Sequence, residues 1–544
     1  MAHTYATDVL VAGAGPVGLT AAVELRRRGV SCRIVDRLPA RLPFAKAVGI
    51  QPRTLELWDR MGLVRAALDA AVPLRGQLAY VNGVEQPRLE LALPPEVPYG
   101  FAALPQYETE RLLAEHLARF GTEVERGAEL VSFAQDADGV TNRVRTPSGT
   151  EEEVRTRFLV GCDGAHSIVR KGIGLSFEGG AFPDEFMLAD VEVDWDLPHE
   201  YGVRAMHRDA SGAVDDVLVC IPLPGPGRYR MSMMVPPELS TAQRVGEDPD
   251  GITHGLGGGR APELPDIQAV LDRLSPRPTT ASGIRWSSVF RISHRIVNRY
   301  SDGRVFIAGD AAHIHPPTGA QGMNTGIQDA WNLAWKLALA VEGAAHPDLL
   351  ASYDAERRPV GEEVVGRTVR HAQEGVQADP EDPQTLLLRE AQLLVGYRGG
   401  PITAPPGAGP LPGPGDRAPD CVGLTGEIAA YPLRLYDLLR DRDHVLLLYG
   451  DVQDPGELAR TAREASGGRT ETFAVRAASS VAAAAEGLPV YHDTAGQFAR
   501  LYAADGPTAF VIRPDGYLGA RLGPPTAQAL RTHLADTFAA TDQG

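Results

Sequence analysis

Cysteine is scarce. The chain has four in 544 residues, at positions 32, 162, 220 and 421, with no CxxC pair and no metal-like spacing. That excludes a dithiol redox centre and a cysteine zinc site, and it points to a reducing compartment. Positive charge is short as well: 53 Lys and Arg stand against 70 Asp and Glu, for a formal net charge of −17. Binding a phosphate backbone needs a basic surface, so a nucleic-acid partner is not expected. The acidic balance serves solubility. No uninterrupted apolar run reaches the roughly 18 residues of a membrane-spanning helix, so no membrane association is expected. The opening MAHTYATDVLVAGAGPVGL lacks a basic region, and Gly and Pro break its apolar run, unlike a signal peptide. The expected location is the cytoplasm. What is present is the composition of a globular protein, 43% hydrophobic and 23% charged, long enough for three or four structural units.

The segment TDVLVAGAGPVGLTAAVELRRRGVSCRIVDR reads as strand, glycine turn, helix and second strand. Gly13 permits the tight turn, Gly15 lets backbone approach a pyrophosphate, and Gly18 allows the helix to pack closely on the strand. Pro16 opens the helix, whose free N–H groups and positive dipole end suit an anion. Asp36 ends the second strand, where a carboxylate accepts bonds from an adenosine ribose and disfavours a 2′-phosphate. Arg37 follows it. These features indicate a dinucleotide site without separating FAD from NAD.

Two later stretches repeat the strand-then-acid theme. FLVGCDGAHSIVRKGIGL ends a strand on Asp163 before a helix start. VFIAGDAAHIHPPTGAQGMNTGIQDAWNLAWKLAL ends a strand near Asp310, then runs through His313, His315, Pro316, Pro317 and Gly319 into a long helix. The Gly319–Asn324 segment lies at that helix start, aimed to offer N–H groups to a pyrophosphate or a flavin pyrimidine. The two histidines stand two apart, but no further acidic or histidine cluster joins them, so no metal is expected.

In this order, GAGPVG, CDGAHSIVR and GDAAHIHPPTGAQGMN resemble the single-component flavoprotein aromatic hydroxylases typified by p-hydroxybenzoate and phenol hydroxylases, most of all the polyketide-tailoring members. The resemblance covers the chain from about Asp8 onward. It implies an α/β fold with three parts: a Rossmann-like FAD-binding domain, an antiparallel-sheet substrate domain and a C-terminal thioredoxin-like domain. It implies FAD held by Gly13, Gly15, Pro16, Gly18, Asp36 and Arg37, with Lys46 where the family usually has Arg. Gln106 and Arg111 would lie near the ribityl chain, with Asp163 and Asp310 beside them. Pro317, Gly319, Gly322, Met323 and Asn324 would face the flavin ring. The implied reaction is hydroxylation of a phenolic or polycyclic polyketide ring by O₂ through a flavin C4a-hydroperoxide, with NADPH or NADH as transient donor. Baeyer–Villiger oxygenation on the same scaffold stays open, and a non-catalytic flavin carrier is the reading from a different class. A homo-oligomer is compatible with the sequence.

The implied parts divide as residues 1–176 and 290–400 for the cofactor, with strands near 78–101 joining a substrate sheet at 177–289. A Pro/Gly linker at 401–420 and a tail at 421–544 follow. Phe101, Met231, Met233, Trp286 and Pro316 are candidate substrate contacts. The glycine-rich stretch from Gly246 to Asp266 reads as a surface loop. The tail, with Cys421 alone, reads as structural; TAFVIRPDGYLGAR within it predicts a hairpin turning at Asp515-Gly516.

Overall fold

The computed structural model describes residues 5–240, 255–256, 260–375, 379–406, 409, 412–428, 431–478 and 487–540. β1 (Val9–Ala12) is buried throughout and feeds α1 (Pro16–Arg27), after which β2 (Cys32–Asp36) returns beside it. α2 (Pro52–Met61), β3 (Gly76–Val81), α3 (Gln106–Ala118), β4 (Val124–Arg126) and β5 (Phe158–Gly161) follow. The middle of the chain forms β6 (Phe177–Val193), β7 (Tyr201–Arg208), β8 (Val214–Pro222), β9 (Arg228–Met234), α4 (Leu264–Leu274) and β10 (Ala281–Val297). Then come β11 (Val305–Ile307), α5 (Gln321–Val341), α6 (Ala351–Glu374) and α7 (Pro383–Glu390).

The first sheet has the order Ser301–Asp302, β11, β5, β1, β2, β4. The last five are mutually parallel, and Ala12 pairs with Gly161, which pairs with Ile307. Apolar runs such as VLVA and FLVG are buried on both faces, as a parallel sheet between helices requires.

The second sheet runs Gly255–Leu256, β10, β6, β9, β8, β7, β3, Val84–Glu85, antiparallel except where β7 meets β3. Side chains alternate between its faces. Met187, Ala189, Val191, Leu218, Met231 and Met233 pack with Ile267, Val270 and Leu271 of α4. The opposite face carries Leu188, Arg230 and Trp286 and turns to the Phe44–Lys46 loop of the first unit. Most of the Gly246–Asp266 stretch lies outside the described residues; its last residues, from Leu264, are helical rather than loop.

The tail builds a six-stranded sheet in the order Leu424–Thr425, Val490–Asp493, Thr470–Ala477, His444–Tyr449, Thr508–Ile512, Leu518–Leu522. The predicted hairpin forms, with Gly516 at φ +80 in its turn. That turn is buried. Asp515 accepts bonds from Asn332 and Trp335 of α5 and from Arg513, while Arg513 forks onto Glu356 of α6 at 2.6 and 2.8 Å. Described residues of the Pro/Gly stretch before the tail bond to it: Gly415 N–H donates to the Leu518 carbonyl, and Ala404 N–H donates to that of Gly519. No described helix is long and apolar enough to cross a membrane.

Candidate cofactor and substrate site

Three strand ends meet where α1 begins. Gly13 sits at φ +97, a conformation L residues rarely take, and a Cβ there would collide with the carbonyl oxygen of Cys162 beyond β5. A Cβ on Gly18 would strike the Gly13 carbonyl. Gly309, just past β11, packs on Val17 at the start of α1. Gly15 differs: its φ is −75, and a Cβ there would meet no protein atom within 4 Å. Its open side faces a cleft of about 270 Å³, into which Asp36, Arg37, Lys46, Gln106 and Asp163 also project.

Asp36 sits at the cleft with both oxygens already engaged, accepting from Ala14 N–H and Leu38 N–H at 2.8 Å each, and Arg126 lies 3.4 Å away. The acid therefore shapes the glycine turn as well as facing the cleft. Asp163 accepts from Ile168 N–H through Oδ2, while its buried Oδ1 has no partner among the described residues; burial pushes its carboxyl up. Gln106 opens α3, accepts from Ala47 N–H and donates to Glu110. Arg111 departs from expectation. It points to the outer side of α3, paired with Glu108 and Glu115, because the cleft-facing stripe of this helix is Gln106 and Glu110. Arg41, Arg126 and His166 also line the cleft; His166 falls within the CDGAHSIVR stretch, whereas Arg41 and Arg126 belong to no motif.

Asp310 lies in a single 3-10 turn after β11, exposed, with no hydrogen bond to the described protein. Beyond it the loop is held from behind. Gly319, at φ +70, lies against the Glu390 carboxylate, and Gln321 donates to Glu390 at 2.9 Å. Pro316 is buried and Pro317 exposed. Gly322 and Met323 stand in the first turn of α5, whose leading N–H groups have no intrahelical acceptor. The Asn324 side chain is spent on the protein: it accepts from Gln51 N–H and Thr54, and donates to the Gly49 and Ala320 carbonyls. His313 bonds Asp329 at 2.7 Å, the same carboxylate that Arg357 grips. It is a buried strut of the loop.

Of the substrate candidates, Trp286 stacks on Phe44 with centroids 4.9 Å apart, joined by Leu188, Phe290 and Ile292. Phe44 lines the cleft, and β10, which carries Trp286, pairs at its far end with His313–Ile314 at the start of the loop. Cleft, loop and aromatic wall are thus continuous. Met231 and Met233 lie on the other face, fully buried under α4, so they are core. Met233→Ala is expected to cost about 2–5 kcal/mol of stability by leaving a cavity, measured by urea unfolding, with no change in cofactor occupancy. Phe101 packs with Ala391 and Leu393 among partly buried leucines, away from Trp286.

A dinucleotide fits this cleft: Gly15 leaves room for a ligand atom, α1 offers its N-terminus, and Asp163 Oδ1 and the Asp310 carboxylate await donors. Residues 6–368 match the family model described as FAD binding domain. The chain belongs to the FAD-dependent monooxygenase family. Anhydrotetracycline monooxygenase of Streptomyces rimosus is 34% identical to this monooxygenase, over 96% of this chain and 98% of its own. Pentachlorophenol 4-monooxygenase of Sphingobium chlorophenolicum is 30% identical, over 95% and 94%. The solved ternary complex of aklavinone-11 hydroxylase with FAD and aklavinone superposes with a TM-score of 0.77 at 25% identity, covering 98% of the monooxygenase and 99% of that chain.

Proposed function

We propose that this monooxygenase hydroxylates a phenolic or polycyclic polyketide ring, consuming O₂ and taking electrons from NADPH or NADH. The relatives' names include anhydrotetracycline, pentachlorophenol and aklavinone, all aromatic. The observation that carries the reading is the continuity of the glycine cleft with the wall of Trp286, Phe44, Phe290 and Ile292, which offers flat apolar surface beside the cofactor loop. FAD, when bound, supplies hydride acceptance and oxygen activation. The chain supplies the rest. Gly13, Gly15, Pro16 and Gly18 with the α1 N–H groups hold the pyrophosphate, Asp36, Arg37 and Lys46 flank the adenosine side, and Gln106, Asp163 and Asp310 take the polyol. Pro317, Gly319, Gly322, Met323 and the Asn324 main chain back the ring. The aromatic wall excludes water and orients the substrate carbon.

The division into cofactor unit (1–176 and 290–400), substrate sheet (177–289), connecting stretch (401–420) and thioredoxin-like tail (421–544) belongs to the same proposal. The tail is structural.

Asp310→Ala tests the cofactor site. The purified variant is expected to lose most of its yellow colour, read as the ratio of flavin to protein absorbance, and wild-type occupancy would overturn the assignment. In wild type, a panel of polycyclic phenols is expected to include compounds that accelerate NADPH oxidation at least tenfold with a mass gain of one oxygen in the product. A rate indifferent to all of them would count against hydroxylation.

A further inference from the structure

Where the C-terminal end of α1 and the length of α2 meet the tail, the seam is rich in arginine, and its buried carboxylates are shared rather than matched. Glu24 holds both Arg27 and Arg28, Glu56 holds Arg53 and Arg417, and Glu356 holds Lys336 and Arg513, with Asp515 added on the Arg513 side. Two more exposed acids of the tail, Asp441 and Asp443, reach Arg27 and Arg28. Arg60, in the last turn of α2, is left over. It is 2% exposed, its Nη1 is buried without an acceptor, and its side chain has no hydrogen bond or ion pair among the described residues. Burial, and next to it Arg27, pulls its guanidinium down to about 10, which leaves it charged at neutral pH.

A guanidinium carries five N–H donors, and burying it without a counter-charge is costly. Packing does not demand it, since the buried neighbours Leu57, Trp58 and Met61 fill the same helix with apolar groups. A second cation converges on the same place. The position a Cβ would take on Gly516, in the tail hairpin turn, lies 3.3 and 3.7 Å from Arg53 Nη2 and Nη1 and 3.6 Å from Arg60 Nη1. Two guanidinium groups thus stand together in front of a residue that has no side chain. His444 feels the same field: both ring nitrogens are buried without a partner, and burial with Arg513, His533, Arg28 and Arg60 holds its imidazole well below the usual value. The cofactor's glycine turn lies at the other end of the twelve-residue α1, roughly 18 Å of helix away. Donors gather in this seam and acceptors run short.

We propose that Arg60 and Arg53, in front of the bare face of Gly516, bind a single-atom inorganic anion of chloride size that fastens the tail to α2. The close approach of the two guanidinium groups suits one atom rather than an organic acid, and a halide accepts charge-assisted N–H bonds from several sides at once. It supplies the counter-charge that Arg60 lacks and bridges a helix of the cofactor unit to the tail hairpin. The site is independent of the substrate and of the hydroxylase reading.

The test melts FAD-loaded full-length enzyme in sodium chloride and in sodium gluconate at equal ionic strength, so that surface charges are screened alike. An anion bound only by the folded state stabilises it in a saturable way. Wild type is expected to melt at least about 1 °C higher in chloride, with a response that levels off as chloride is raised. In Arg60→Met the saturable response disappears, and the variant melts in gluconate no lower than wild type, because the unmatched charge is gone. Crystals of wild type grown in sodium bromide are expected to show an anomalous peak in contact with Arg60 Nη1. Should Arg60→Met fail to fold, the chloride response and the bromide peak of wild type decide the matter together. A linear or absent chloride response in wild type, no bromide peak, or an undiminished response in folded Arg60→Met would each overturn the inference. A bromide peak without stabilisation in solution marks binding at crystal concentration only and overturns it as well.

Discussion

Gly15→Ala is expected to fold normally and fail to hold FAD, whereas Gly13→Ala is expected to fail at both. The two glycines stand two residues apart in one turn yet are required for different reasons. At Gly15 the backbone is extended and a Cβ meets no protein atom within 4 Å, so the apoprotein has no need of glycine there. Its stability in Gly15→Ala should stay within about 0.5 kcal/mol of wild type. The methyl group would stand where a pyrophosphate oxygen must approach, so FAD affinity should drop by about tenfold or more, measured by isothermal titration of apoprotein. At Gly13, φ +97 alone costs an alanine roughly 1–2 kcal/mol, and the added carbon drives into the Cys162 carbonyl. Both melting temperature and flavin content should fall. A Gly15→Ala protein that retains wild-type FAD affinity would remove the cofactor from this cleft.

The second large effect is expected from the tail. Arg513→Met should destabilise the whole chain by about 3–5 kcal/mol, the cost of leaving a buried ion without its partner. Glu356, fully buried in α6, is held by the Arg513 fork and by Lys336 at 2.8 Å. Around them Asp515 takes bonds from α5, Arg53 donates to the Asp515 carbonyl, and Arg417 pairs with Glu56 of α2. Glu356→Gln combined with Arg513→Met should recover part of the loss, because the orphaned charge is gone, and urea titration of the four proteins measures the coupling. Burial works to raise the Glu356 carboxyl, but the adjacent Arg513 and Lys336 charges hold it below its ordinary value. A group depressed on folding adds stability above its unfolded pKa and loses it as pH falls through the folded one. Acid unfolding should therefore begin below the ordinary glutamate range and shift upward in pH in Arg513→Met. Flavin release should accompany it, since α5 carries both this cluster and the loop that ends at Gln321.

The features legible in the sequence are those fixed by local backbone need. Gly13 must take a left-handed φ, Gly18 must admit a neighbouring carbonyl, Asp36 ends one buried strand and Asp163 lies two residues past another; each requirement falls within a few residues. The hairpin at Asp515-Gly516 was legible for the same reason. Alternation in RYRMSMMVP announced two faces but not their destinations. Met231 and Met233 turned out to be core, and Arg230 to face the cleft, because α4 covers one side of the sheet and the Phe44–Lys46 loop the other. The family resemblance likewise put Arg111 near the ribityl chain, although of this helix only the Gln106 and Glu110 stripe reaches the cleft.

By itself the sequence determined that a glycine-turned strand–helix unit exists, where its partner strands end, and which family the chain resembles. Tertiary structure alone decided which charges are neutralised. Arg228, Arg230 and Arg513 look alike in sequence. One finds Asp190, one finds no carboxylate among the described residues, and one finds Glu356 from 157 positions away. The pairing of a buried charge depends on which distant elements pack against it, and only the folded chain specifies that.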